Sequence, residues 1–306
     1  MKNIVLIRHG ESLGQTARER GKSRNDPSLL DCFLTSKGIR QAQHLGHALK
    51  QQQQQKQQEE DHGDSHDFGF DLVCVSPLTR ALATCMLGFG HILEDTKQEG
   101  GVIPLDDNHA CNNAIASTRT RTHTRTRTRI PFICHPGLAE TGGSIPENHG
   151  RPFSIVISDI KKKLKRYDPN VGTYITHVDL SLLQPQQQEE GGGKTGSSTT
   201  SATLWPPSSH DEKLTRRDFL KWLHDRPEQN IAIVCHHNVI RTLLRYQVDS
   251  VLNCMPISCV MHEGHLDSFY LPGHDPMEYS KAEALPTRSR RRRQTKGKKK
   301  VTKQHS

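Results

Sequence analysis

The side chains best suited to chemistry follow the first apolar run of the chain, at Arg8-His9-Gly10-Glu11-Ser12. A guanidinium can bind phosphate or carboxylate with two donors, and an imidazole can act as a nucleophile or base near neutral pH. The preceding run, Ile4 to Ile7, shows no polar alternation, which favours a strand buried on both faces of a parallel sheet. Ligand crevices in such sheets lie at the carboxyl ends of the strands. We therefore expect Arg8 and His9 to face a crevice.

Three later apolar runs end in the same way. Residues 70–75 lead into Ser76-Pro77-Leu78-Thr79-Arg80, residues 130–134 lead into His135-Pro136-Gly137-Leu138-Ala139-Glu140, and residues 230–235 lead into His236-His237-Asn238. Because the carboxyl ends of parallel strands meet at one edge of a sheet, these groups are predicted to share one site. The group consists of Arg8, His9, Arg80, Glu140 and His236.

The ordered motifs RHGES, SPLTRALATC and VCHHNVIRTLL, with GLAE before the last one, resemble those of the histidine phosphatase superfamily, the phosphoglycerate mutase-like fold. The similarity covers roughly residues 2–271 and is interrupted by low-complexity segments. It implies an α/β fold, a three-layer sandwich in which helices flank a mostly parallel central sheet. It also implies a function, a phosphatase that hydrolyses phosphate monoesters through a phosphohistidine on His9.

The resemblance assigns a role to each site residue. His9, as a neutral imidazole, would attack phosphorus, and Glu140 would protonate the leaving oxygen. Gln15 stands where the family commonly has an asparagine that helps to seat the phosphate, and it is longer by one methylene. The expected catalytic residues are His9, Glu140 and His236, and the expected substrate-binding residues are Arg8, Arg80 and Gln15. We expect no cofactor and no metal.

The alternative within the family is a phosphoglycerate mutase-type phosphotransferase, which returns the phosphoryl group to a bound product. The longer motifs that the resemblance would require for a dedicated glycolytic mutase are missing, so a phosphatase is favoured. The substrate is expected to be a phosphorylated small molecule or a phosphoprotein, because both present the same group to the site. His237 replaces a residue that is usually glycine in the family, which would narrow the pocket.

Cys235 and Arg241 offer a different nucleophile, because their spacing fits the C-x5-R loop of cysteine phosphatases. That loop needs backbone N–H groups that converge on phosphate, usually with the help of glycine, and the intervening residues here contain none. It would also leave RHGES without a purpose. A buried thiol at the end of a strand is therefore the favoured interpretation of Cys235.

A metal site is a further alternative, because histidine and carboxylate are ordinary zinc ligands. The adjacent guanidiniums of Arg8 and Arg80 disfavour a bound cation. The candidate ligands would be His9, His236, His237 and Glu140.

The composition suggests that much of the chain packs no core, because only 32% of its 306 residues are hydrophobic. We predict one domain over residues 1–285, with low-complexity insertions at about 51–67, 117–129 and 184–211. Residues 286–306 form a basic tail that is predicted to be disordered, and the net charge of +9 is concentrated there. A non-catalytic protein that binds polyanions on a degenerate phosphatase core is the third functional alternative, and weak polyanion binding by the tail is compatible with an enzyme.

The sequence predicts a cytoplasmic address, with the nucleus as an alternative directed by the basic tail. It contains no transmembrane run, its apolar N-terminus is too short for a signal peptide, and no membrane partner is expected. Eight cysteines without a compact disulfide spacing indicate a reducing compartment. The oligomeric state stays open.

Smaller elements are also predicted. Residues 13–30 should form a loop at the rim of the crevice, and a helix should begin at Thr35. The helix that contains Arg80 should offer its first-turn amides as a phosphate seat. Another helix should pass through residues 219–223, and a closing hairpin or edge strands should span residues 257–271.

Overall fold

A computed structural model describes residues 1–59, 69–95, 130–142, 144–183 and 212–268. The predicted insertions at 117–129 and 184–211, the basic tail and the domain boundary at residue 285 lie outside these ranges and stay predictions. Of the predicted insertion at 51–67, residues 51–59 are described, and they continue a helix that begins at Ser36.

The centre of the fold is a sheet of seven described strands in the order β4-β3-β2-β5-β1-β6-β7. The pairs among β1 to β5 are parallel, whereas β6 is antiparallel to both β1 and β7. The predicted α/β class with a mostly parallel sheet is therefore confirmed, and the predicted hairpin closes one edge. The strands are β1 (Lys2–Arg8), β2 (Leu72–Val75), β3 (Phe132–Cys134), β4 (Val178–Asp179), β5 (Asn230–Cys235), β6 (Pro256–His262) and β7 (His265–Ser268).

Helices cover both faces of the sheet, as the alternation of buried side chains along β5 shows. Ala232 and Val234 belong to one apolar cluster, and Ile231 and Ile233 belong to the other. Both faces of the strand are buried, which explains why its sequence is apolar without alternation. The helices are α1 (Leu13–Glu19), α2 (Ser36–Glu59), α3 (Thr79–Asp95), α4 (Phe153–Leu164), α5 (Val171–Tyr174), α6 (Glu212–Asp225) and α7 (His237–Leu243).

The two clusters define the layers of the sandwich. The first contains side chains of α2, α3, α4 and α5, and the second contains side chains of α6 and α7. Since each cluster also includes alternate residues of the same strands, the sheet lies between two helical layers. None of the described helices is long and apolar enough to cross a membrane.

The prediction of a loop over residues 13–30 is wrong, because this segment contains α1 and a 3-10 turn, Pro27–Leu29. Ser12 caps α1, since its hydroxyl accepts from the Gln15 amide N–H at 3.3 Å while the Gln15 side-chain oxygen accepts from the Ser12 N–H at 3.1 Å. This reciprocal pair satisfies two amides that a helix start leaves unpaired. Gly14 and Ala17 are buried, so packing supports the short helix.

Candidate active site

A cleft of about 470 Å³ collects the predicted site residues at the carboxyl ends of the central strands. Its walls include Arg8, His9, Gln15, Arg80 and Glu140. The sixth predicted residue, His236, packs against one of them, since the His9 and His236 ring centroids are 5.0 Å apart. Four strand ends that are far apart in the sequence therefore meet at one place.

His9 is held in one tautomer by its surroundings. It follows β1 directly, and its main-chain N–H donates to the carbonyl of Cys235 on the neighbouring β5 at 3.0 Å. On the ring, Nδ1 lies 2.7 Å from the Gly10 carbonyl, and the Arg80 Nε–H donates to Nε2 at 3.2 Å. A carbonyl accepts only, so Nδ1 carries the proton and Nε2 carries the lone pair.

The electrostatic environment keeps the His9 ring neutral. Burial lowers its pKa well below the usual value of 6.5, and the positive charges of Arg80 and Arg8 lower it further. A neutral imidazole with its lone pair on Nε2 can act as a nucleophile at neutral pH.

His236 lies at the start of α7 and is fully buried. Its Nε2 is 2.7 Å from the Ser76 hydroxyl. The Ser76 oxygen accepts from the Leu78 N–H at 3.3 Å. Burial lowers the pKa of His236 well below its usual value, followed by the charge of Arg80. Nδ1 has no hydrogen-bond partner among the described residues, so Nδ1 is the ring atom with which His236 can bind a ligand oxygen.

Arg80, in the first turn of α3, is fixed by contacts from all three of its nitrogens. In addition to the Nε contact with His9, Nη1 donates to the Glu147 carbonyl and Nη2 donates to the Asn148 side-chain oxygen at 2.9 Å. Arg8 is held from another side, because its Nη1 donates to the Val251 carbonyl at 2.7 Å. Both guanidiniums are therefore oriented before any ligand binds.

The prediction that the first-turn amides of α3 form a phosphate seat is wrong for Thr79. Its N–H donates to the buried carboxylate of Asp31 at 2.8 Å, and its hydroxyl also contacts that carboxylate. Burial raises the pKa of Asp31, while Thr79 and the charges of Arg80 and Arg151 oppose this shift. The Thr79 amide is therefore paired with a protein carboxylate.

Glu140 reaches the cleft from an irregular segment. It follows the 3-10 turn Pro136–Leu138, and its carboxylate accepts from the Thr141 N–H at 2.8 Å and from the Thr141 hydroxyl at 3.3 Å. The side chain is partly exposed and lines the cleft. It can therefore meet a substrate oxygen without leaving its local contacts.

Gln15 lies at the edge of the cleft, and both ends of its amide group have protein partners. Nε2 donates to the Asn253 side-chain oxygen at 3.2 Å, and Oε1 accepts from the Ser12 N–H. Asn253 also donates to the His9 carbonyl at 2.6 Å. A role for Gln15 in seating phosphate stays a prediction, and Asn253 is a neighbour that the sequence did not indicate.

Sequence reasoning missed a second group of cleft residues. Arg18 and Arg24 line the cleft, and Arg18 forms an ion pair with Glu147, whose carboxylate lies against Gly14. The two arginines were overlooked because their segment was predicted to be a loop, although helical spacing from Ser12 places Arg18 in the last turn of α1. Asn148 carries no sequence signal, because its contact with Arg80 joins residues that are 68 positions apart along the chain.

The alternative nucleophile, Cys235, is the last residue of β5 and is fully buried. Burial raises the pKa of its thiol to about 12, which disfavours a thiolate near neutral pH. Arg241 does not complete a phosphate loop, since its Nε donates to the Val248 carbonyl at 3.2 Å. The geometry supports a structural role for both residues.

The metal alternative required several histidines and Glu140 to converge. Within the part of the chain that the structure describes, no group of three or more His, Cys, Asp or Glu side chains is arranged to hold a metal ion. His237 lines the cleft beside Asn238 and is half-buried, and burial lowers its pKa, as does the charge of Arg8.

Comparisons with known proteins find a match to a family in the N-terminal part of the chain. Residues 4–92 match the histidine phosphatase superfamily (branch 1), which confirms the resemblance drawn from the motifs. A Schizosaccharomyces pombe protein named as a probable phosphatase is 34% identical over 104 residues. That match covers 34% of this chain and 39% of the fission yeast protein, so it spans well under half of the relative's length.

Solved phosphatase structures are also similar to this chain. The alpha-ribazole phosphatase from Shigella flexneri is 18% identical, with coverage of 88% of this chain and 95% of that one and a TM-score of 0.39. The ecdysone phosphate phosphatase from Bombix mori, in complex with tungstate, is 12% identical, with coverage of 89% and 93% and a TM-score of 0.43.

Proposed function

We propose that this chain, with its match to the histidine phosphatase superfamily, hydrolyses phosphate monoesters through a phosphohistidine formed on Nε2 of His9. The observation that carries the proposal is the state of the His9 ring. Nδ1 holds its proton against the Gly10 carbonyl, and Nε2 presents a lone pair beside Arg80. The lowered pKa of His9 keeps this form populated at neutral pH.

The cationic cleft supports a phosphate dianion as the ligand. Arg8, Arg18, Arg24 and Arg80 all line it. On binding, a phosphate oxygen would take the Nε–H that Arg80 now donates to His9, which frees the Nε2 lone pair for attack. Arg8 and His236 would hold the other oxygens. Fixed guanidiniums suit phosphoryl transfer, which depends mainly on alignment and charge stabilisation.

Glu140 would act first as an acid and then as a base. As the bond from phosphorus to the ester oxygen breaks, protonated Glu140 gives its proton to that oxygen and the alcohol leaves. The resulting carboxylate then takes a proton from a water molecule, whose oxygen attacks phosphorus. The bond from phosphorus to Nε2 breaks, inorganic phosphate is released, and His9 returns to its neutral form. One residue thus serves both half-reactions.

The relatives favour the phosphatase over the mutase alternative, because the fission yeast protein is named as a probable phosphatase. The substrate class that we propose is a phosphorylated small molecule or a phosphoprotein. The partly open position of Glu140 at the cleft wall is compatible with attacking water, which a hydrolase requires and a mutase must exclude.

A panel of phosphate esters tests the proposal when it is assayed with two variants. We expect the wild-type chain to release phosphate from several members, His9→Ala to release none above background, and Cys235→Ser to retain most of the activity. Activity should also persist in a strong chelator. An active His9→Ala variant, or a folded but inactive Cys235→Ser variant, would show that His9 is not the nucleophile.

A further inference from the structure

We propose that Arg216, on α6, is a positioning residue that fixes Glu140 in the orientation needed to protonate the leaving oxygen. The inference rests on the proposed function, because the proposed function gives Glu140 the role of acid. It adds a residue that lies outside the cleft lining and outside the matched segment 4–92.

The geometry joins α6 directly to the segment that presents Glu140. The Arg216 Nη1 donates to the Gly137 carbonyl at 2.8 Å, and Nη2 donates to the Ala139 carbonyl at 2.6 Å. The second carbonyl belongs to the residue immediately before Glu140. Because a guanidinium is planar, two contacts of this kind fix both the distance between the carbonyls and the direction of the chain that leaves them.

The same helix also supports the start of this segment by aromatic packing. The His135 ring lies 4.8 Å from Phe219 and 4.7 Å from Trp222, measured between centroids, and its Nδ1 accepts from the Gly137 N–H at 3.0 Å. The segment 135–139 is thus bound to α6 by rings at one end and by Arg216 at the other. Glu140 is the first residue beyond this support.

Arg216 places a buried cation behind the segment that carries Glu140. Arg216 is only 6% exposed, although an arginine is rarely buried so deeply. Burial lowers the pKa of His236 most, and the charge of Arg216 contributes to that lowering. Two hydrogen bonds from a rigid guanidinium keep the main chain before Glu140 in one position while the charge on the substrate changes. A flexible apolar side chain could not fix that position.

The proposal predicts a loss that depends on the leaving group. An alkoxide must be protonated as it leaves, whereas nitrophenolate leaves without a proton, so only the first reaction needs a well-placed acid. Arg216→Met should slow single-turnover phosphorylation of the enzyme by an alkyl phosphate roughly 10–100-fold. The rate with p-nitrophenyl phosphate should change little. Arg217→Met, an exposed neighbour on the same helix, is the matched control and should leave both rates unchanged.

A double variant separates positioning from a general structural effect. In the Glu140→Gln background, Arg216→Met should cause no further loss with the alkyl phosphate, because the group that it positions is already gone. Arg216→Lys keeps the charge but lacks the paired donors of the guanidinium, so its rate with the alkyl phosphate should lie between those of wild type and Arg216→Met. It is the variant to measure if Arg216→Met does not fold. Equal slowing of both substrates, or additive losses in the double variant, would overturn the proposal.

Failure of the proposed function gives a different result. If Glu140→Gln alone shows no dependence on the leaving group, the acid assignment itself is wrong, irrespective of Arg216. If Glu140→Gln shows the dependence and both Arg216 variants match the Arg217 control, only the inference about Arg216 is overturned.

Discussion

The two walls of the cleft are built in different ways. Arg8, His9 and His236 stand at strand ends and Arg80 in the first turn of α3, so the regular hydrogen bonds of the sheet and the helix place them. Glu140 follows the 3-10 turn Pro136–Leu138, and Asn148 ends a second one, Pro146–Asn148. Side chains from elsewhere hold the main chain in these segments. Secondary structure positions the first wall, here called the strand-end wall. Individual side-chain contacts position the second.

Asn148 is the point at which the two walls meet. Its side-chain oxygen accepts from Arg80 at 2.9 Å, and its nitrogen donates to the Thr141 carbonyl, next to Glu140. One side-chain amide is thus hydrogen-bonded both to the guanidinium expected to bind phosphate and to the residue after the expected acid. A wall made in this way is more easily disturbed, since the loss of one contact leaves no regular hydrogen-bond ladder to replace it.

The largest loss is expected in the strand-end wall. Arg80→Lys should lower kcat/KM for p-nitrophenyl phosphate by ~10²–10³, because an ammonium cannot replace a guanidinium with three fixed contacts beside the reacting phosphoryl group. Arg40→Lys, at an exposed position on α2, is the control. Steady-state kinetics of both variants would measure the difference. Similar values for both would mean that Arg80 does not act on the phosphoryl group.

A smaller loss is expected where the two walls meet. Asn148→Ala removes the acceptor for Arg80 and the donor to Thr141, so we expect kcat/KM to fall about 10–100-fold from misplacement alone. Asn25→Ala, in an exposed turn, should have no effect. If Asn148→Ala were as active as the control, Asn148 would not align the two walls.

This difference also explains how much the sequence could predict. Short apolar runs that stop at polar residues identified β1, β2, β3 and β5 and therefore the residues at their carboxyl ends. The contact of Asn148 with Arg80 and the donor pair of Arg216 could not be found in this way, because the two ends of these contacts lie 68 to 79 residues apart along the chain. The α1 helix was missed for a local reason, since Gln15 completed a capping box that was not recognised.

Three buried histidines, from both walls, should also make the protein sensitive to acid. Burial lowers the pKa of His9 and His236 well below 6.5 and that of His135 to about 4. The unfolded chain takes up these protons near pH 6.5, whereas the folded chain does not, so stability must fall as the pH falls below that value. Each histidine contributes up to about 1.4 kcal/mol per pH unit.

Urea unfolding between pH 7.5 and pH 5 measures this effect. His135→Gln should reduce the number of protons taken up on unfolding by about one, because it removes one buried histidine and leaves His9 and His236 in place. A free energy of unfolding that stayed level or rose as the pH was lowered from 6.5 to 5 would contradict the buried, neutral state of these histidines.

The smallest effect is expected outside both walls. Deletion of residues 286–306 should leave turnover of a small phosphate ester unchanged, because this basic segment contains almost no apolar side chains that could pack a core. Binding to heparin or RNA at low salt should weaken in the same variant. A deletion that abolished turnover would show that the domain extends beyond residue 285.

The central claim is that His9 carries the phosphoryl group, and rapid-quench trapping of the phosphoenzyme tests it most directly. Wild-type protein is mixed with a labelled phosphate ester and quenched in alkali, because phosphohistidine survives there whereas phosphate esters of serine are lost. The protein is then digested, and the labelled peptide is sequenced by mass spectrometry. We expect the label on His9, within the peptide of residues 3–22 that a lysine-specific protease releases, and we expect the same label in Cys235→Ser. A label on Cys235, or steady turnover with no label on His9, would contradict the account.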